Sequence, residues 1–121
     1  MKKYFYMIIA LFALSTSAMA AEKNALFAHL TTDRAHEAYM ATHLSLMMSK
    51  DGHPVTIFLN DKGVMLASKA NTAYAEAQIE FSELIKNGAH VLVCPMCMQE
   101  YKVEAKDLIE GVEVANHGKV E

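Results

Sequence analysis

Residues 90–97 read His90-Val91-Leu92-Val93-Cys94-Pro95-Met96-Cys97. The first four residues are largely apolar and rich in valine, which is typical of a buried strand. Pro95 is favoured at the first position of a helix, because its missing N–H would have no partner there. This stretch therefore predicts a strand that passes directly into a helix, with Cys94 at the junction and Cys97 about one turn later.

Two apolar runs of strand length lie upstream, at residues 25–30 and 54–59. The turn signal of residues 60–63 closes the second run, and a weaker strand signal covers residues 112–115. Strands that alternate with helices favour a parallel sheet covered on both faces. We therefore expect an α/β fold with a small parallel, or mainly parallel, sheet flanked by helices in a flavodoxin-like three-layer arrangement.

The first crossover between these strands has the pattern of a helix. Thr32 and Asp33 offer side-chain oxygens as caps, the helix is expected to begin near Arg34, and Asp51-Gly52 ends it. Apolar residues that recur with helical spacing are expected to face the core. Here these residues are Met40, Leu44, Met47 and Met48.

The second crossover gives a similar prediction. Asn71 or Thr72 is the candidate cap, and Asn87-Gly88 ends the helix. Its expected core stripe consists of Ala77, Phe81, Leu84 and Ile85. A further helical signal covers residues 99–106.

Right-handed crossovers place the loops that follow parallel strands along one edge of the sheet. The loops concerned are residues 31–33, 60–63 and 94–97. Besides the two cysteines, this edge is expected to carry polar candidates, among which Lys62 would stabilise a thiolate or persulfide anion if the fold brings it near Cys94. These nearby candidates are Thr32, Asp33, Asn60 and Lys62.

The N-terminus has the pattern of a signal peptide over residues 1–20. Lys2 and Lys3 precede an apolar run at residues 4–14, and Ala18-Met19-Ala20 is a typical cleavage site, so cleavage is expected between Ala20 and Ala21. Eleven apolar residues in a helix cover only about half of a ~30 Å bilayer core. We therefore expect residues 21–121 to form a single domain that is exported to a bacterial periplasm and has no membrane contact after cleavage.

Composition and charge narrow the class of protein further. The chain of 121 residues is 53% hydrophobic and 21% charged, which indicates a packed core rather than disorder. Its net charge is −3, and loss of Lys2 and Lys3 with the leader makes it −5. Such a surface argues against nucleic-acid binding, which depends on neutralising phosphates.

The spacing of the two cysteines allows several kinds of chemistry. A thiolate at Cys94 would be stabilised by helix N–H groups, and Cys97 is near enough to resolve a mixed disulfide or persulfide. A structural disulfide would close a very short loop and gain little stability. Zinc would need about two further ligands. No resident cofactor is expected, and the alternative is copper(I) bound by both thiolates and the thioethers of Met96 and Met98.

Three motifs resemble those of the DsrE/DsrF-like family. They are residues 28–33 (Ala-His-Leu-Thr-Thr-Asp), residues 52–64 (Gly-His-Pro-Val-Thr-Ile-Phe-Leu-Asn-Asp-Lys-Gly-Val), and the region from Val91-Leu92-Val93-Cys94-Pro95-Met96-Cys97-Met98 through Leu108-Ile109-Glu110-Gly111-Val112. The resemblance implies a DsrE-like α/β fold and a homo-oligomer, commonly a trimer or hexamer. It also implies that sulfane sulfur is carried as a cysteine persulfide, with the acceptor cysteine at Cys94 and the second cysteine at Cys97.

The expected function is therefore that of a periplasmic sulfur carrier, possible sulfurtransferase or thiol-redox protein that works through Cys94 and Cys97. Its partners would be sulfur donor and acceptor proteins or small thiols. Two alternatives stay open: a non-enzymatic copper(I) carrier, and a structural oligomer subunit with an inert disulfide. Members of this family usually continue beyond the equivalent of Gly118 into another strand.

Overall fold

The computed structural model describes residues 22–116. Its four strands are β1 (Leu26–Leu30), β2 (Val55–Leu59), β3 (His90–Val93) and β4 (Glu113–Val114). They form one sheet in the order β1-β2-β3-β4, and every neighbouring pair is parallel. The predicted parallel sheet is confirmed, with a fourth strand shorter than expected. The predicted leader and its cleavage site, Ala20-Ala21, lie outside the described residues.

Three α-helices flank this sheet, and the α/β class is confirmed. They are α1 (Ala35–Lys50), α2 (Ala75–Lys86) and α3 (Pro95–Glu100). Short 3-10 helices occupy Asp61–Ala67, Thr72–Tyr74 and Ala105–Asp107. Within residues 22–116, no helix has the length and apolar character needed to cross a membrane.

The capping residues differ from the prediction. The N-cap of α1 is Arg34, and Thr32 instead accepts the N–H of Arg34 on its hydroxyl oxygen at 3.1 Å, while Asp33 does not cap the helix. Such a local turn satisfies the backbone without extending the helix. In the second crossover, a 3-10 turn is inserted after Asn71, so the N-cap of α2 is Tyr74 rather than Asn71 or Thr72.

The helical signal predicted over residues 99–106 divides into two parts. Helix α3 begins at Pro95, as the proline predicts, and ends before Lys102, which adopts a left-handed conformation with φ 56°. Left-handed residues commonly terminate helices, because they turn the chain away from the helix axis. The downstream part forms the 3-10 helix Ala105–Asp107.

The buried face of α1 differs from the predicted one, although Met48 of the predicted stripe is partly buried against the core. The predicted residues Met40, Leu44 and Met47 are 51%, 62% and 53% exposed, so their assignment to the core is wrong. The buried residues of α1 are Ala38, Thr42, Ser45, Leu46 and Ser49. Small side chains allow close packing, and the hydroxyls of Thr42 and Ser45 bond carbonyls one turn back at 2.7 and 2.8 Å. Hydrogen bonding inside the helix thus offsets the cost of burying polar groups.

Helices α1 and α2 lie side by side on the sheet. His43 Nδ1 lies 2.7 Å from Glu80 Oε1, and Asn87 donates to the hydroxyl of Ser49 at 2.7 Å. The predicted core face of α2 is confirmed, with Ala77, Phe81 and Leu84 buried and Ile85 partly buried against the core.

The sheet face opposite α1 and α2 is more open to solvent within the described residues. The His29 ring stacks on Phe58 with ring centroids 5.4 Å apart. On the same face, Phe27 is 52% exposed. Side chains alternate between the two faces of a strand, so Ala28 and Leu30 face α1 instead.

The carboxyl ends of the strands coincide at one edge, as predicted. Leu30 pairs with Leu59, and Leu59 pairs with Val93, so the three strands end in register. The next N–H groups continue the ladder: Asn60 donates to Leu30 O and Cys94 donates to Leu59 O, each at 3.0 Å. The first residues of two loops are thereby fixed beside each other.

Gly63 allows the loop after β2 to pass over the end of β1. A Cβ at this position would lie 2.1 Å from the carbonyl oxygen of Leu30, closer than any real contact. Only glycine permits this approach, which brings the first turn of the 3-10 helix Asp61–Ala67 against the sheet edge. The sequence predicts only a turn at residues 60–63, but the glycine of this segment serves the close approach to Leu30.

Two leucines of α1 test the corrected helix orientation. Leu46→Ala should cost about 2–5 kcal/mol of unfolding free energy, because it opens a cavity in the core. Leu44→Ala should change it by no more than about 0.5 kcal/mol in the monomer, because the side chain is largely exposed. Urea denaturation of both variants, at a concentration where light scattering gives a monomer, measures the difference. Equal losses would contradict the orientation.

Candidate functional site

Cys94 occupies the junction between β3 and α3. It is the N-cap of α3, with an extended backbone conformation, and Pro95 follows at the start of the helix. Its carbonyl accepts the N–H of Met98 at 3.0 Å, which begins the helical hydrogen bonding. The side chain is half-buried, and its thiol is free rather than part of a disulfide.

Cys97 lies between Cys94 and the loop after β2. Its N–H points at the sulfur of Cys94 at 3.4 Å. Its own thiol donates to Asn60 Oδ1 at 2.9 Å and accepts the N–H of Asp61 at 3.2 Å. Cys94, the side chain of Asn60 and the N–H of Asp61 therefore all contact Cys97, which makes more of these hydrogen bonds than Cys94 does.

Asp61 and Tyr101 form a clasp between the loop and α3, and we use this name for the pair below. The Tyr101 hydroxyl donates to Asp61 Oδ1. Tyr101 lies one turn after Cys97, and its N–H donates to the Cys97 carbonyl at 2.9 Å. Asp61 has φ 49°, a left-handed conformation that aspartate tolerates better than most residues.

The surroundings of the site raise the pKa of two of its groups, Cys97 and Tyr101. Burial raises the pKa of Cys97, the neighbouring Cys94 raises it further, and the N–H of Asp61 opposes them. The hydrogen bond to the Asp61 carboxylate raises the pKa of Tyr101 to about 12. At neutral pH both groups are therefore protonated, and Tyr101 remains a hydrogen-bond donor.

The possible metal ligands of the motif face different surroundings. Met96 is 77% exposed, whereas Met98 is 7% exposed and belongs to the hydrophobic core. Within residues 22–116, no three or more histidine, cysteine, aspartate or glutamate side chains are grouped so that they could hold a metal ion. No observation here favours a copper site over a site that uses the thiols themselves.

The structure brings together three of the residues singled out from the sequence, namely Cys94, Cys97 and Asn60. Among the described residues, no hydrogen bond or ion pair connects Lys62 to either thiol. Thr32 is used in the turn before α1. Asp33 instead affects Tyr74. Burial is the main reason that the pKa of Tyr74 is raised, and the negative charge of Asp33 is the second reason.

Two residues of the site did not stand out in the sequence. Asp61 lies next to Asn60 and was assigned only to the turn. Tyr101 is four residues after Cys97, the spacing that places two side chains on the same face of a helix. That spacing was an available signal for Tyr101, whereas the left-handed backbone of Asp61 was not.

The fold and the paired thiols define a small α/β protein with a dithiol site at the sheet edge. The profile of the DsrE/DsrF-like family matches residues 11–120, and the chain belongs to this family, which is generally linked to sulfur relay.

Two archaeal relatives are similar to this chain. The uncharacterized protein MK0008 of Methanopyrus kandleri is 36% identical over 80 residues, which cover 64% of this chain and 66% of that protein. The uncharacterized protein MJ0989 of Methanocaldococcus jannaschii is 35% identical over 82 residues, covering 64% and 70%. The chain thus spans about two thirds of the length of these relatives.

Two solved structures share the fold. The crystal structure of the ychN protein from E. coli has a TM-score of 0.67 at 16% identity, covering 83% of this chain and 89% of that one. The protein of unknown function MTH1491 from Methanobacterium thermoautotrophicum has a TM-score of 0.59 at 18% identity, covering 77% and 81%. At these identities the likeness concerns the fold alone.

The clasp predicts a distinct titration of Tyr101. In an ultraviolet pH titration, the phenolate signal that Tyr101→Phe removes should have its midpoint near pH 12, because the phenol donates to a carboxylate. Asp61→Asn should bring this midpoint back toward the ordinary value of about 10, since the negative charge is gone while asparagine still tolerates the left-handed backbone. An unchanged midpoint in Asp61→Asn would show that the clasp does not form in solution.

Proposed function

We propose that this chain is a periplasmic sulfur carrier in which Cys94 accepts sulfane sulfur and Cys97 resolves it. The supporting observation is the placement of two free thiols side by side at the carboxyl edge of a parallel sheet. In open α/β folds this edge is where chemistry usually takes place. The family membership supports the same class of reaction.

The loading step is a thiol exchange. The Cys94 thiolate attacks the outer sulfur of a donor persulfide, a Cys94 S–S bond forms, and the donor S–S bond breaks. The donor leaves as a thiolate, which takes up a proton from solvent, and Cys94 holds an –S–SH group. The exchange involves no net oxidation or reduction, so the step needs no external oxidant.

Unloading takes one of two routes. A thiolate of an acceptor protein or small thiol attacks the outer sulfur, takes it up as its own persulfide and releases the Cys94 thiolate. Alternatively, the Cys97 thiolate attacks the inner sulfur, which forms the Cys94–Cys97 disulfide and expels hydrosulfide. The second route connects sulfur transfer to thiol-redox chemistry at the same pair.

The export of the chain is part of this proposal. It is supported by the basic start, the short apolar run and the Ala18-Met19-Ala20 site at the N-terminus. In an oxidising compartment the two thiols are expected to cycle through a disulfide. The same mass spectrum that detects sulfur on the chain also reports whether its N-terminus is Ala21.

Sulfur loading separates the roles of the two cysteines. After incubation with a small-molecule persulfide, the wild-type chain and Cys97→Ser should gain about 32 Da, whereas Cys94→Ser should gain nothing. Cys97→Ser should keep the added sulfur longer, because no neighbouring thiol remains to resolve it. Intact-mass measurements over time provide the test, with loss of about 2 Da marking the disulfide.

Other results would reject this proposal in defined ways. Loading that depends on Cys97 alone would reverse the assigned roles. A copper(I) carrier would lose metal affinity to a similar degree in both variants, because each variant removes one thiolate ligand. An inert disulfide with no loading in any form would make the chain a structural subunit.

We further propose that the chain is a homo-oligomer whose contact includes the outward ridge of α1, defined as Met40, Leu44 and Met47. These apolar side chains are more than half exposed and have helical spacing. Two copies of α1 packed antiparallel would place Leu44 against Leu44 and Met40 against Met47, so the ridge is self-complementary. Such a two-fold contact occurs in a hexamer built from dimers but not in a simple trimer.

A charge placed in the ridge tests this contact. Leu44→Lys should shift the assembly toward the mass of one chain, because it buries an unpaired charge at the centre of the interface. Ile79→Lys is the matched comparison, since Ile79 is a 63% exposed apolar residue of α2 outside the ridge. Light scattering at micromolar concentration measures both variants. Dissociation by Ile79→Lys alone would move the interface to α2.

A further inference from the structure

The Cys97 thiol is hydrogen-bonded to the loop that follows β2. Asn60 Oδ1 lies 2.9 Å from the sulfur, and the Asp61 N–H approaches it at 3.2 Å. An amide oxygen only accepts hydrogen bonds, so this contact requires the proton to reside on the sulfur. In this orientation of the Asn60 amide, ionisation of Cys97 would leave the amide oxygen facing a thiolate, and the hydrogen bond would be lost. Asn60 therefore favours the thiol form of Cys97.

The loop is not free to move away from Cys97. The Asn60 N–H is bonded to Leu30 O, and its carbonyl accepts the N–H of Gly63 at 2.9 Å. The clasp of Asp61 and Tyr101 fastens the same loop to α3. These contacts hold the backbone of Asn60 beside Cys97 by constraints that do not involve Cys94.

We propose that Asn60 is a positioning residue that keeps the proton on Cys97 and thereby slows the attack of this thiol on sulfur newly loaded on Cys94. This inference rests on the proposed function for its biological meaning. Attack by the Cys97 thiolate would form the Cys94–Cys97 disulfide and expel the carried sulfur as hydrosulfide. A proton held on Cys97 slows this route, because only the thiolate is nucleophilic. Direct transfer to an acceptor thiol is then favoured.

The protonation of Cys97 is measured most directly without any sulfur donor. In a Cys94→Ser background, Cys97 is the only thiol, and its rate of alkylation by iodoacetamide between about pH 6 and pH 11 follows its thiolate fraction. Asn60→Ala should move the midpoint to lower pH, and the rate near neutral pH should rise about tenfold if the midpoint falls by one pH unit. Asn60→Asp should move the midpoint to higher pH, because a carboxylate then faces the sulfur.

The matched control is Asn87→Ala in the same background. Asn87 also connects two elements through its side-chain amide, but it bonds Ser49 rather than a thiol. It should leave the midpoint unchanged, even if urea denaturation shows a loss of stability similar to that of Asn60→Ala. A midpoint that shifts equally in Asn87→Ala would reduce the role of Asn60 to general structural support and overturn the inference.

The remaining outcomes are also decisive. An unchanged or higher midpoint in Asn60→Ala would overturn the inference. If Asn60→Ala fails to fold, Asn60→Asp decides alone, and an unshifted midpoint there refutes the contact. Failure of sulfur loading on Cys94 would refute the proposed function without altering these alkylation profiles. Normal loading with unshifted profiles would refute only the role of Asn60.

Discussion

The hydrogen bond from the Cys94 N–H to the carbonyl of Leu59 determines where the two thiols lie. It continues the β2–β3 ladder by one residue beyond the strands, just as the Asn60 N–H continues the β1–β2 ladder. Parallel strands keep a constant register, so these two bonds fix Asn60 and Cys94 as neighbours at the sheet edge. Helix α3 then begins at Pro95, and one turn brings Cys97 back over the loop. The dithiol site is thus a consequence of strand register.

The sequence was sufficient for the parts of this arrangement that depend on local patterns. The apolar runs predicted three strands within one residue of their observed ends, and the proline after Cys94 predicted a helix start. The common carboxyl edge followed from the handedness of crossovers. The contact of Asn60 with Cys97 could not be predicted, because it depends on how far Gly63 lets the loop approach the end of β1. A separation of a few ångströms between loops is not encoded in residue spacing.

Helix α1 shows where reasoning from hydrophobicity fails. Met40, Leu44 and Met47 form an outward ridge, while the buried face carries mostly alanine, serine and threonine together with Leu46. Small side chains bring the helix close enough for dense packing, and hydroxyls that bond carbonyls within the helix need no other partner. Most of the hydrophobic stripe then lies on the surface of the chain instead of in its core.

The two cysteines differ in their contacts, because the loop after β2 is hydrogen-bonded to the sulfur of Cys97. A macrodipole needs length, and α3 has only six residues, so its N-terminus distinguishes weakly between thiols three residues apart. Burial and the neighbouring Cys94 raise the pKa of Cys97, and the clasp fastens the loop beside it to α3 through a phenol whose pKa of about 12 leaves it protonated over the whole neutral range. A nearby pair of thiols would otherwise tend to react with each other. The loop thus gives the two sulfurs different surroundings, which is the asymmetry that the proposed division into an acceptor and a resolving thiol requires.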